Sequence, residues 1–188
     1  MKKLLATLAV LATMSVAHAD TTIVTGYGAN TNNVTKADSD QFVVRVMHDI
    51  NTTGTSVDGI VTTSKNQSTN GLTNQYELGV SQKFPVNAVF IPYVRVATGT
   101  IQVSKVDPMY YAGIEPGVII KPTGTPFTIK LDYTRGTGIN GTKNLDIDMY
   151  RTQVGYAITD KDSIAVRKDW IRGDMNTDTY WLTYARRF

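Results

Sequence analysis

The 188-residue chain contains no cysteine. Disulfides, zinc–thiolate centres, thiol catalysis and a lipid-modified N-terminal cysteine are excluded together. Histidine is nearly as scarce, His18 and His48 being the two present, so acid–base chemistry has few candidates. The sequence also lacks a basic block, a glycine-rich phosphate loop and any run of Lys and Arg interleaved with aromatics. Nucleic acid is therefore not an expected partner. The formal charge of +3 is small, and it shrinks further once Lys2 and Lys3 are assigned to a leader. No apolar run reaches the roughly 20 residues that a spanning helix needs, and a helical period is nowhere sustained.

The leader is read from the first residues. Met1-Lys2-Lys3 is a cationic start, Leu4 to Val16 is almost uninterruptedly apolar, and Ala17-His18-Ala19 places small residues at both positions of an A-x-A cleavage site. A secretory signal peptide is expected over 1–19, cleaved after Ala19, with one domain over 20–188.

Within that domain the apolar signal has period two. Ten strands are expected, at about 21–31, 40–50, 55–64, 73–84, 88–100, 109–121, 126–136, 145–159, 162–172 and 178–188, in line with strand periodicity. In the fourth, Tyr76, Leu78 and Val80 alternate with Glu77, Gly79 and Ser81; in the seventh, Phe127, Ile129, Leu131 and Tyr133 alternate with Thr128, Lys130 and Asp132. Each has one greasy and one polar face. The first and third are rich in Thr and Gly and ambiguous in parity, so eight strands is the alternative count.

Connections are expected to alternate in kind. Asn51-Thr52-Thr53-Gly54, Pro85-Val86-Asn87, Lys121 to Thr125 and Thr159 to Asp162 read as tight turns. Longer polar links, 31–39, 65–72, 100–108, 136–144 and 173–177, lie between them. That layout, with strands of about ten residues, is the one transmembrane barrels use. Aromatics give a second indication. Phe84, Phe90, Phe127, Tyr156 and Phe188 fall near the short-turn end of the apolar face, whereas Phe42, Tyr76, Tyr110, Tyr133, Tyr150 and Trp170 fall near the other. Two belts are expected where hydrocarbon meets water.

The last ten residues form one amphipathic strand. Tyr180, Leu182, Tyr184 and Phe188 share one parity, with Trp181, Thr183 and Arg187 on the other. This ending resembles the C-terminal strand of bacterial outer-membrane β-barrels, departing from it at Arg186, where that family usually has an apolar residue. The resemblance implies that Tyr180, Leu182, Tyr184 and Phe188 serve as an assembly signal. The whole chain after the leader resembles the small outer-membrane β-barrels of the OmpX and OmpA kind. It would be one hairpin larger than those eight-stranded barrels. This implies an all-β, up-and-down antiparallel transmembrane β-barrel in the bacterial outer membrane, monomeric, inserted by the outer-membrane barrel assembly machinery and surrounded by lipids and lipopolysaccharide. It implies no single activity.

The face opposite the apolar one should line the lumen. It carries Glu77, Lys83, Arg95, Glu115, Lys130, Asp132, Arg151, Arg167 and Asp169. Signs are mixed, and in so narrow a barrel charges persist inside only when paired. The expected reading is a salt-bridge network that fills the lumen of a structural or surface-interaction barrel, whose external loops touch lipopolysaccharide or a partner of unknown identity. A narrow porin-like channel is one alternative, and a soluble, lipocalin-like periplasmic ligand binder is another. Lys168 shares the lipid-facing parity of Val166 and Trp170, and its stem is expected to snorkel.

No catalytic set or cofactor is assigned. A rim protease of the omptin kind or a lipid A palmitoylating barrel needs an outward-side His, and His48 lies near the short turns. Asp146, Asp148, Asp174 and Asp178 could bridge a divalent cation to phosphate, but such spacing is common at strand ends and no metal site is assigned. Arg172-Gly173-Asp174 spells the integrin-binding tripeptide at a loop tip, where Gly-Asp is ordinary hairpin chemistry. Asn140-Gly141-Thr142 matches a glycosylation acceptor and is read as polar loop composition.

Overall fold

A computed structural model describes residues 21–50, 53–104, 106–139 and 145–188. The expected leader, with Ala17 and Ala19, and the Asn140-Gly141-Thr142 triplet lie outside the described residues. Among the described residues all regular structure is strand: β1 (Thr21–Asn32), β2 (Asp38–Asp49), β3 (Thr55–Asn66), β4 (Leu72–Lys83), β5 (Phe90–Val103), β6 (Met109–Ile120), β7 (Phe127–Ile139), β8 (Asp146–Ala157), β9 (Asp162–Gly173) and β10 (Thr177–Arg187). Each strand pairs antiparallel with its sequence neighbours, and β1 pairs with β10 to close an up-and-down barrel. The strand number is ten, and the eight-strand alternative is discarded. Closure removes sheet edges.

Alternation becomes wall and lumen. Leu78, Val96, Val166 and Leu182 point outward at 57–68% exposure, whereas Arg95, Glu115, Asp132 and Asp169 point inward at 3–7%. A water-soluble barrel that binds an apolar ligand needs the opposite arrangement, so the lipocalin-like alternative does not match this wall. So large an apolar exterior is stable against hydrocarbon, and closure gives every strand a ladder partner on both sides, the β6–β7 ladder being interrupted at Glu115 and Pro116. Outward aromatics gather at both ends, with Phe127 and Tyr156 in edge contact at 5.3 Å at one and Tyr133 and Tyr150 at 5.1 Å at the other.

Turn chemistry follows local sequence. The Asn32 side chain accepts from the Val34 and Thr35 N–H groups, and Asn66 does the same for Ser68 and Thr69. Such side-chain bonds replace lost ladder partners and pin the reversal. Gly173 has φ +95° at the β9–β10 turn, a conformation costly for other residues.

The expected contrast between short and long connections is not found. Intervals 33–37, 67–71, 104–108, 140–145 and 174–176 at one end are matched in length by 50–54, 84–89, 121–126 and 158–161 at the other. The strands continue through Asn66, Val103 and Ile139 into the polar links. Thr, Asn and Gln pair in the ladder as readily as apolar residues, and above the aromatic belt a strand needs no greasy face.

Candidate functional site

The inward side chains meet across the lumen. Three antiparallel registers bring opposite charges face to face: Arg95 with Glu115, Asp132 with Arg151, and Arg151 with Asp169. Directly opposed pairs of this kind are the units that stabilise a sheet face. Here they connect further. On β3, Asp58 accepts from Arg45 of β2 and, at 2.7 Å, from Arg95 of β5. Arg95 also pairs with Glu77 at 2.7 Å and with Glu115 at 3.5 Å.

From Glu115 the chain of contacts passes to Lys130 at 3.3 Å and Arg151 at 3.4 Å. Lys130 and Arg151 each reach Asp132 at 3.2 Å. Asp169 then takes Arg151 at 3.3 Å and Arg167 at 2.9 Å. Cations Arg45, Arg95, Lys130, Arg151 and Arg167 match carboxylates Asp58, Glu77, Glu115, Asp132 and Asp169 one for one. A buried lattice of charge is tolerable only with such balance and with its remaining lone pairs filled.

Aromatics with polar handles fill several of them, while Arg45 Nε, Asp132 Oδ1 and Arg167 Nε have no hydrogen-bond partner. Tyr93 donates to Glu115 at 2.9 Å, an oxygen 3.0 Å from Asp132 as well, while Tyr111 donates to Glu77 at 2.6 Å. Trp181 of β10 donates its indole N–H to Asp169 at 3.0 Å and lies under the Arg167 guanidinium at 4.7 Å. On β1, Gly28 leaves room for that ring: a Cβ there would sit 2.7 Å from it. Every strand thus contributes a charge, a ring or the space for one. Nearer the 104–108 end an inward apolar cluster of Ile101, Tyr111 and Leu145, with Met109, Ile147 and Met175 against it, lies beyond the charges.

Of the nine residues read from the sequence, eight (Glu77, Arg95, Glu115, Lys130, Asp132, Arg151, Arg167 and Asp169) enter this lattice. Lys83 stands apart near the 50–54 end, paired with Asp49 at 3.3 Å. Sequence reasoning missed Arg45 and Asp58. Phe42, assigned outward, shares parity with Val44 and Val46, which already places Arg45 inside; Asp58 sits on the Thr- and Gly-rich strand whose parity was not readable.

The C-terminal set faces outward, Tyr180 at 58%, Leu182 at 60%, Tyr184 at 40% and Phe188 at 41% exposure. Arg186, the departure from the usual apolar residue, pairs with Asp162 at 3.5 Å and lies 5.8 Å over the Phe188 ring. The rim acids are spoken for: Asp148 bonds Arg135 at 2.6 Å, Asp178 bonds Arg172 at 2.8 Å, and Asp174 accepts the Asp146 N–H at 2.8 Å. Both charged members of the Arg172-Gly173-Asp174 tripeptide are therefore tied to the barrel itself. Among the described residues no cluster could hold a metal ion. His48 faces outward against the Thr21 hydroxyl at 3.0 Å.

No protein-family model matches the sequence, and no curated protein matches it. Solved structures do. The β domain of the Bordetella autotransporter BrkA superposes with a TM-score of 0.57 at 10% identity, covering 91% of this chain and 100% of that one. The NanC porin superposes at 0.54 and 10% identity, covering 88% and 100%. Neisserial surface protein A gives 0.46 at 11% identity, covering 89% and 96%. At such identities the likeness is one of fold, that of bacterial outer-membrane β-barrels.

Proposed function

We propose that this protein is a non-conducting barrel of the bacterial outer membrane, with a structural or surface-interaction role played by its wall and rims. The carrying observation is the continuous ion-pair lattice, which runs from Arg45 on β2 to Arg167 on β9 and is completed by Trp181 on β10. A lumen occupied by balanced charges has neither the width of a pore nor an unpaired sign to select ions. The filled interior also supports kinship with barrels of the OmpX and OmpA kind, whose bore is just wide enough for side chains.

The absence of long connections at either end moves any surface contact to the outward wall and the rims. Lipids and lipopolysaccharide are the partners that such a wall meets, and the barrel assembly machinery is the partner implied by the C-terminal strand. Closure without a free edge supports action as a monomer.

Planar-bilayer recording tests the proposal. Purified protein is expected to insert without steady openings. Stable nanosiemens-scale currents from the unmodified chain would overturn it.

A further inference from the structure

The outward face of β9 carries one charge with no carboxylate at ion-pair distance. Lys168 lies between Val166 and Trp170 on the apolar parity, and its ammonium sits 4.8 Å over the Trp170 ring and 4.6 Å over that of Tyr180. Asp178, further along β10, is held by Arg172 at 2.8 Å. Among the described residues no acid lies within ion-pair distance of Lys168, whose partners are the two rings.

A cation on the lipid-facing wall is costly in hydrocarbon and much less so at headgroup depth. Trp and Tyr mark that depth, because their amphipathic rings collect where hydrocarbon ends. Directly beside Lys168 lies a groove of about 480 Å³ whose walls include Tyr27, Val166, Trp170, Tyr180 and Leu182. A fixed positive charge at the interface with an apolar furrow alongside is the shape of a lipid: an anionic head for the ammonium, an acyl chain for the furrow.

We infer that Lys168, Trp170 and Tyr180 form a seat for a lipid bearing an anionic phosphate headgroup, with one acyl chain along Val166 and Leu182. The inference rests on the membrane-barrel reading and adds to it a preferred lipid at one place on the wall. Lipid is the occupant because this face meets acyl chains wherever the barrel is inserted, and because a free phosphate would leave the furrow empty.

The probe is quenching of tryptophan fluorescence in phosphatidylcholine vesicles carrying either brominated phosphatidic acid or brominated phosphatidylcholine at the same mole fraction. Trp181 is 5% exposed but also borders the groove, so the measurement is made in a Trp181→Phe background, where the signal reports Trp170 alone. This parent and its Lys168→Arg variant are expected to be quenched by the phosphatidic acid with a preference of about fivefold, the scale of one lysine meeting an anionic lipid. In Lys168→Met and Lys168→Gln the preference should fall to about one.

Equal quenching by both lipids in the parent would overturn the seat while leaving the barrel reading intact, as would a preference that survives Lys168→Met. Lys168-dependent cross-linking between copies, with no lipid preference, would give the face to a second copy and also overturn it. Failure of the unmodified protein to acquire heat-modifiable migration in vesicles would remove the membrane reading itself, and the seat with it.

Discussion

Arg95 and Asp58 are two strands apart in the barrel, yet the guanidinium of one holds the carboxylate of the other at 2.7 Å, reached over Gly79. A Cβ at Gly79 would run into that guanidinium. Arg95 also serves Glu77 and Glu115, so removing it leaves three carboxylates sharing fewer cations in a place without bulk water. Arg95→Leu is expected to destabilise the barrel by about 3–5 kcal/mol, the range for orphaning a buried charge. Denaturant unfolding in vesicles, read by heat-modifiable mobility, checks it; a cost under about 1 kcal/mol would mean that the lumen is wetter and the lattice looser than described.

Gly28 and Trp181 make a second, steric pair across the closing seam between β1 and β10. Gly28→Ala would place a methyl group 2.7 Å from the indole. The expected cost is about 1–3 kcal/mol, typical of overpacking. In a Trp181→Leu background the same change should cost much less, since the clash has been removed. Non-additivity in this double-mutant cycle is the diagnostic reading; additive costs would show that β1 and β10 do not meet in this register.

Which residues share a face was legible, because period-two alternation in strands such as β4 and β7 leaves no freedom: a slip of one residue exchanges both faces. Which face is inside was not legible from alternation alone, and it is the contrast of Leu78 at 68% exposure with Arg95 at 4% that decides it. Parity also says nothing about height along the barrel axis. Lys83 shares the inward parity of Glu77 but lies at the 50–54 end, where it finds Asp49 instead of the lattice. Asp58 escaped notice because Thr and Gly around it carry little hydrophobic contrast, and its role depends on Arg95, which no local window contains. Connection length is not legible for a related reason: polar composition reads as loop, although ladder hydrogen bonds do not depend on side-chain polarity.

Leu78, outward near the middle of β4, reports on what surrounds the wall. Leu78→Arg places a charge where hydrocarbon is expected, and should cost about 2–4 kcal/mol in a bilayer. In detergent micelles, which deform around a charged side chain, the same substitution should cost much less. Comparing unfolding midpoints of the two proteins in vesicles and in micelles measures the difference. Equal costs in both media would mean that this part of the wall lies outside the bilayer.

Phe188 separates assembly from stability. Its ring is 41% exposed, and its backbone N–H donates to the Thr21 carbonyl at 2.9 Å. A Phe188→Ala change keeps that backbone bond and removes a ring that is only partly covered by the protein, at the chain's end and outside the lumen lattice, so stability after refolding in vesicles should change by less than about 1 kcal/mol. If the outward stripe of Tyr180, Leu182, Tyr184 and Phe188 is read by the assembly machinery, the amount of folded barrel recovered from bacterial outer membranes should nevertheless drop several-fold. Tyr93→Phe provides the opposite control, because it strips a donor from Glu115 and Asp132 inside the lumen without touching the stripe: it should lower stability in vesicles by about 1–3 kcal/mol, the cost of leaving a buried acceptor short of its partner. Equal membrane yields for Phe188→Ala and the unmodified chain would show that the terminal ring is only part of the wall.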